Sequence, residues 1–281
     1  MDKQQLFDWS ESYTNADTIT MPLIMGILNI TPNSFYDGGR YDTVDKAYDQ
    51  AQALIAAGAD IIDIGGESSR PGATPLGLAE ELDRVLPLIE RLSRATSTSI
   101  SIDTYKPEVM RAAIEAGAAC INDIFALQTP GALEVAVHYD VPICLMHMQG
   151  TPQSMQDNPY YEHAVTTHVM DFFQQRIDAC VAAGIRRQRL ILDPGFGFGK
   201  QKHHNLQLVK HLKQFSHHGL PLLLGVSRKS TLGEILNQPP QGRLIGGVAL
   251  SVFAMLEGVA ILRTHDVLET RQACHTIQQL C

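Results

Sequence analysis

Apolar residues along this chain fall in short β-rich runs, each followed by a polar cluster and preceded by an amphipathic stretch that ends at or near a glycine. Gly58 precedes ADIIDI and then GGESSRPG, Gly117 precedes AACI and then ND, and Gly184 shortly precedes RLIL and then DPGFGFGK. Gly219 precedes LPLLLGV and then SRKS, and Gly258 precedes VAILR and then THD. Glycine accepts the left-handed backbone that ends a helix, so its place before each run is helix-to-strand punctuation. Three further runs, LIMGILNI at 23–30, TSISID at 98–103 and VPICLMH at 141–147, bring the predicted strands to eight. Helical periodicity fills the gaps. It is clearest at Leu78, Leu82, Val85, Leu86, Ile89 and Leu92, with a kink expected at Pro87, and again over 160–183, where Val165, Val169, Phe172 and Phe173 share one side.

Nearly continuous apolar strands separated by helices belong to a parallel sheet whose outer face is covered. Eight such units predict an α/β fold, a parallel (β/α)8 TIM barrel; a doubly wound open sheet is the alternative, disfavoured because no run reads as an edge strand. The expected organisation is a single barrel domain over 21–281, with a short N-terminal extension, 1–20, lying over the barrel bottom or side.

In such a barrel the C-terminal strand ends carry the chemistry. Here they present Asn29; Glu67, Ser68, Ser69 and Arg70; Asp103; Asn122 and Asp123; His147; Asp193; Ser227, Arg228 and Lys229; and Arg263 and His265. One Asp after a strand is ordinarily a helix cap. Polar residues at all eight ends are a different matter, because Arg70, Lys229 and Arg263 are poor caps. Carboxylates and cations at one height predict a ligand with an anionic part and a separate hydrogen-bonding part. Lys229, Arg263 and His265 follow strands seven and eight, where this fold frequently binds phosphate.

Composition narrows the field. At 281 residues, 44% hydrophobic and 19% charged, the chain has ample material for one large core, and a net charge of -8 argues against a nucleic-acid partner. The absence of a spanning apolar run and of a signal-like N-terminus predicts a cytoplasmic protein without a membrane partner. The five cysteines, with no CxxC spacing, are expected to be reduced thiols. GFGFGK at 195–200 is not a nucleotide P-loop, since Pro194 stands where the first glycine would fall and Gln201 where a hydroxyl is required. It reads as a flexible loop whose Phe196 or Phe198 covers a flat ligand, and TPNSFYDGGR reads as a mobile lid with Phe35 as an apolar cover. His203 with His204 and His217 with His218 are assigned to solvated surface, because neighbouring helical residues point apart.

The phrases GILNITPNSFYDGG, GGESSRPG, SIDTYKPEV, INDI, LMHMQGTP, LILDPGFGFGK, GVSRKS and LRTHDV, in this order, resemble the dihydropteroate synthases of the pterin-binding barrel family over nearly the whole chain beyond residue 20. The resemblance implies a transferase of folate biosynthesis. It would join 6-hydroxymethyl-7,8-dihydropterin diphosphate to p-aminobenzoate, releasing diphosphate with Mg²⁺ assistance, as a homodimer and sulfonamide target. It places the pterin on Asp103, Asn122, Met146, Asp193 and Lys229, and the diphosphate on Asn29, Arg263 and His265, with Asn29 also a metal ligand. It places p-aminobenzoate on Phe35, Ser69, Arg70, Pro71, Phe198 and Lys229. Asn29, Lys229, Arg263 and Asp37 are the residues implied for catalysis. A carboxylate such as Asp193 suits a pterin's adjacent amine and ring N–H, each charge-assisted bond contributing about 1.5–3 kcal/mol.

The chain departs from the family pattern at Ser69, where Thr is usual, and at Asn33, Tyr36 and Tyr105. Those positions concern loop closure and aminobenzoate or sulfonamide affinity. Two rival readings are a corrinoid-dependent pterin methyltransferase, which gives no reason for GESSRPG with SRK, and a silent pterin-binding protein, which needs no diphosphate clamp.

Overall fold

The computed structural model describes residues 1–14, 19–30 and 40–281. Its strands are β1 (Leu23–Asn29), β2 (Ile61–Gly65), β3 (Ser99–Asp103), β4 (Cys120–Asp123), β5 (Ile143–Met146), β6 (Leu190–Asp193), β7 (Leu223–Leu224) and β8 (Ile261–Thr264). All neighbouring pairs are parallel, in the order β6-β5-β4-β3-β2-β1-β8-β7. A parallel bridge between Leu192 and Leu222 joins β6 to β7 and closes the ring. The open-sheet alternative is therefore excluded. β7 is the run that fell shortest of expectation, because its last residues turn into the loop that presents Ser227 and Lys229.

The helices are α1 (Lys3–Ser12), α2 (Arg40–Ala56), α3 (Leu78–Ala95), α4 (Pro107–Ala116), α5 (Ala132–Tyr139), α6 (Val165–Ala182), α7 (Lys202–Lys210), α8 (Leu212–Phe215), α9 (Ser230–Leu236), α10 (Leu244–Leu256) and α11 (Val267–Gln278). Gly58, Gly117, Gly184, Gly219 and Gly258 all have positive φ, as the punctuation reading requires. α3 runs unbroken through Pro87 as one element.

Strand alternation sorts the barrel into two apolar regions. Ile24, Leu28, Ile62, Ile64, Ile100 and Ile102 point outward into the shell shared with the helices. Met25, Ile61, Cys120, Cys144, Ile191, Leu223 and Ile261 point inward and fill the lower barrel, and Leu6 of α1 joins them, fully buried. α1 thus stoppers the bottom of the barrel, capped by Asp2 at its own start. Burying Leu6 contributes about 2 kcal/mol on transfer grounds. The Arg189 guanidinium lies 3.2 Å from the Phe7 ring centroid and donates to the Phe7 carbonyl and Ser10 hydroxyl, fastening the stopper to the start of β6. With the lower interior apolar apart from buried Ser99 beside Ile61, the charged inward positions are left to the levels above.

Candidate active site

The floor of the upper rim is an ionic network built from inward positions of four strands. Arg263 of β8 donates through Nε to Asp63 Oδ2 at 2.6 Å and through Nη2 to Asp103 Oδ2 at 2.8 Å. Asn122 of β4 donates from Nδ2 to the same Asp63 oxygen at 3.0 Å. Asp63 is fully buried on β2, and its Oδ1 has no hydrogen-bond partner among the described residues. Two carboxylates and a guanidinium hold each other in position. Burial works against the Arg263 charge, but Asp63 and Asp103 outweigh it and raise its pKa. Burial raises the Asp103 pKa, with Arg263 opposing and Asp63 adding to the rise.

Asp103 and Asn122 are register partners on β3 and β4, and Met146 and Asp193 are partners on β5 and β6, so sheet register sets the four residues assigned to the pterin side by side in two pairs. Asp193 is buried, and burial raises its pKa while Lys229 lowers it. It also accepts the Gly195 N–H at 2.7 Å, so it serves as a turn cap as well. Gly65 opens the ring between β1 and β3: a Cβ there would come within 3.4 Å of both Asn29 Oδ1 and Asp103 Cβ.

Lys229 stands at the N-cap of α9 and donates to the Phe196 carbonyl at 2.6 Å, with its ammonium 4.6 Å from the Phe198 ring centroid. Burial pulls its pKa down to about 8, against the attraction of Asp193. At the rim a cleft of about 840 Å³ is lined by Asn29 of β1, His265 after β8 and residues of the second loop, the one after β2, among them Arg70 and Pro71. Ser69 borders a small neighbouring pocket with Asp103. Among the assigned residues, Phe35 and Asp37 lie outside the described residues, as do Asn33 and Tyr36; the others meet at this rim.

The second loop is anchored from below. Glu67 accepts from Tyr105 at 3.0 Å, from the Leu76 N–H at 3.0 Å and from Lys106, which also pairs with buried Glu81. The large residue at 105 is thus a strut beneath the loop that carries Ser69 and Arg70.

Several expectations give way here. GFGFGK is tethered: buried Lys200 donates to the Gly195 carbonyl at 2.9 Å and the Phe198 carbonyl at 3.0 Å and contacts His147 Nδ1 at 2.9 Å. A Cβ on Gly195 would fall 1.8 Å from the His147 carbonyl, and one on Gly199 2.4 Å from the Gln149 carbonyl, so the backbone of the loop packs directly on its neighbour. Phe196 is fully buried in the core, which leaves the half-buried Phe198 as the more accessible ring of the pair. His204 and His218 are buried, contrary to their surface assignment: His204 accepts the Gln201 N–H at the start of α7, and the His218 ring packs on Phe173. Asp123 and His147 also leave the candidate site. The first caps the backbone N–H groups of Phe125 and Leu127, and the second serves Lys200.

Sequence reasoning missed Asp63 and Lys200. The signal for Asp63 was present as a lone carboxylate inside the apolar run IIDIG, since a charge there needs a buried partner.

A family model described as pterin binding enzyme matches residues 25–265. The dihydropteroate synthase of Escherichia coli (strain K12) is 48% identical over 260 residues, covering 92% of each sequence. Among solved structures, a Yersinia pestis dihydropteroate synthase with a sulfonamide drug complex superposes with a TM-score of 0.88 at 51% identity, covering 93% of this chain and 95% of that one. A Xanthomonas albilineans dihydropteroate synthase in complex with 7,8-dihydropteroate gives a TM-score of 0.85 at 44% identity, covering 94% and 95%.

Proposed function

The chain belongs to the pterin-binding enzymes, among the dihydropteroate synthases, and from that premise we propose how its own residues carry the reaction. It is a transferase that condenses 6-hydroxymethyl-7,8-dihydropterin diphosphate with p-aminobenzoate, giving 7,8-dihydropteroate and diphosphate. The observation that carries the assignment of roles is the network of Asp63, Arg263, Asp103 and Asn122 on the strand ends, at the rim that also holds the cleft lined by Asn29 and His265.

The pterin lies on the floor. Asp193 accepts its amine and ring N–H, Asp103 and Asn122 meet the far edge of the ring system, Met146 packs against its face, and Lys229 donates to a ring acceptor. The diphosphate reaches upward to Asn29, Arg263 and His265. Because Arg263 is held by two carboxylates, it meets the leaving group already oriented, and charge developing on the departing oxygen is stabilised without rearrangement. The electron-rich pterin supports positive charge on the methylene carbon as the C–O bond breaks, giving a carbocation-like displacement. The aminobenzoate amine then attacks, with ring and carboxylate placed by Ser69, Arg70, Pro71, Phe198, Lys229 and the first loop with Phe35 and Asp37. No dedicated general base is needed, since an aniline nitrogen that has bonded to such a carbon releases its proton readily to water.

A Mg²⁺ ion fits the donor chemistry of this rim. Asn29 offers a hard side-chain oxygen at the cleft, and a cation of this kind characteristically takes few protein ligands and fills its shell with water and substrate phosphate. When bound it neutralises charge on the departing diphosphate. Asn29 would hold it, beside the Arg263 and His265 that would bind the diphosphate.

The working form is a homodimer in the cytoplasm. Its contact face is α10 with its neighbours, where Ile245, Phe253 and Leu256 are exposed beside Ile235 of α9 and Leu268 of α11. The experiment for the whole reading supplies the purified protein with the pterin diphosphate. Diphosphate release should require both p-aminobenzoate and Mg²⁺ and yield dihydropteroate; its absence from the products overturns the assignment.

A further inference from the structure

Ser227 follows β7 and is buried beside β8. Its hydroxyl lies 3.1 Å from His265 Nδ1 and 3.3 Å from Asp266 Oδ2, and it accepts the backbone N–H of His265 at 3.2 Å. The next residue, Arg228, is held in the left-handed backbone region with φ 57°, an uncommon conformation for a side chain of this size. Its guanidinium pairs with Asp266, and Arg243 donates to its carbonyl at 2.8 Å, so the turn that aims Ser227 is fixed from both sides.

One hydroxyl proton can serve only one acceptor. Given to Asp266, it obliges His265 to carry a proton on Nδ1, and the other ring nitrogen, Nε2, then offers the cleft a lone pair. Given to His265 Nδ1, it leaves Nε2 protonated and a donor. Asp266 already receives the Arg228 guanidinium through Nε and Nη2, so it is the less needy acceptor. Burial, reinforced by Arg263, Arg228 and Arg70, depresses the His265 pKa to about 4, with Asp266 the opposing charge. A neutral imidazole attracts an anion only through an N–H.

We propose that Ser227 is a positioning residue that donates to His265 Nδ1 and fixes the imidazole in its Nε2–H tautomer, so that an uncharged ring delivers a hydrogen bond to a phosphate oxygen. The proposal rests on the reading of His265 as a diphosphate ligand. It makes the clamp chemically mixed: Arg263 supplies charge and His265 supplies direction.

Nitrogen-15 spectra of the full-length protein with inorganic diphosphate and Mg²⁺ at pH 7.5 should show the His265 ring protonated at Nε2 and bare at Nδ1. Ser227→Ala should weaken binding of inorganic diphosphate about three- to tenfold, the worth of one neutral hydrogen bond. It should leave the affinity for the diphosphate-free pterin unchanged, and Ser227→Thr should restore diphosphate binding. A ring protonated at Nδ1, an imidazolium, or unchanged diphosphate binding in Ser227→Ala overturns the proposal. Wild-type diphosphate binding in His265→Ala overturns the clamp reading itself, and Ser227 with it; intact pterin binding in each variant shows that the fold survives.

Discussion

The two halves of the site are made differently. The pterin half stands on strand ends, buried and cross-linked by Asp63 and Arg263, with each residue placed by sheet register. The aminobenzoate half stands on the loop after β2, where Arg70 and Pro71 are exposed and the chain is tied down through Glu67 and its partners and through bonds from Gly72 to the Pro152 carbonyl and from Gln153 to the Ala73 carbonyl. A strand end cannot shift without disturbing its neighbours in the barrel, whereas a loop can move within its tethers. The half that meets the invariant ring system is therefore rigid, and the half that meets the second substrate keeps freedom to close on it.

Substitutions can break this contrast, beginning with the largest effect. Asp63→Ala leaves Arg263 and Asn122 without their shared acceptor and should cost about 3–5 kcal/mol, as removal of one partner from a buried pair does. The melting temperature should fall, and calorimetry should find pterin and diphosphate affinities lowered together. A loss confined to one of them would show that the floor is not a single rigid unit. Asp193→Ala should weaken pterin binding about 100-fold through loss of two charge-assisted bonds, with a smaller fall in melting temperature than Asp63→Ala, since it strips the Gly195 N–H of its cap. Unchanged pterin affinity would return Asp193 to its role as the cap of Gly195.

Arg70→Ala should raise KM for p-aminobenzoate about tenfold, the scale of one exposed charge-assisted contact, while the pterin KM holds. A rise in both would couple the halves more tightly than their construction suggests. Lys229 sits where they meet, and its depressed pKa makes the junction visible. Raising pH through about 8 removes its charge, so kcat/KM should decline above that value for both substrates. A decline for one substrate alone would assign Lys229 to that half. Ser69→Thr is the smallest change: it adds one methyl at the small pocket beside Asp103, and direct titration should find aminobenzoate affinity altered by no more than about fourfold.

The same contrast governed what the sequence could reveal. Strand positions were legible because a glycine of positive φ stands before five of them and because apolar runs mark the rest, so Asn122 and Asp193 could be put at the rim from chain pattern. Their division among pterin, diphosphate and aminobenzoate came from resemblance. Asp63 escaped notice because the partner that makes its charge tolerable, Arg263, lies 200 residues away and arrives only when β8 pairs with β1. Lys200 escaped for a related reason. Read locally, GFGFGK is loose glycine-rich chain; its order comes from one buried ammonium gathering carbonyls from two loops. His204 and His218 were misplaced because adjacency on a helix says that two rings diverge, not that both meet water.

The stopper formed by α1 has a consequence for traffic. With Leu6 plugging one end, the barrel is a cup, and everything that enters must leave by the same mouth. Whatever rests on the floor has to arrive before, and depart after, whatever lies across the opening. Under the roles assigned above, the pterin end of the product is then the last part to come free, and the rim sets the order of the queue.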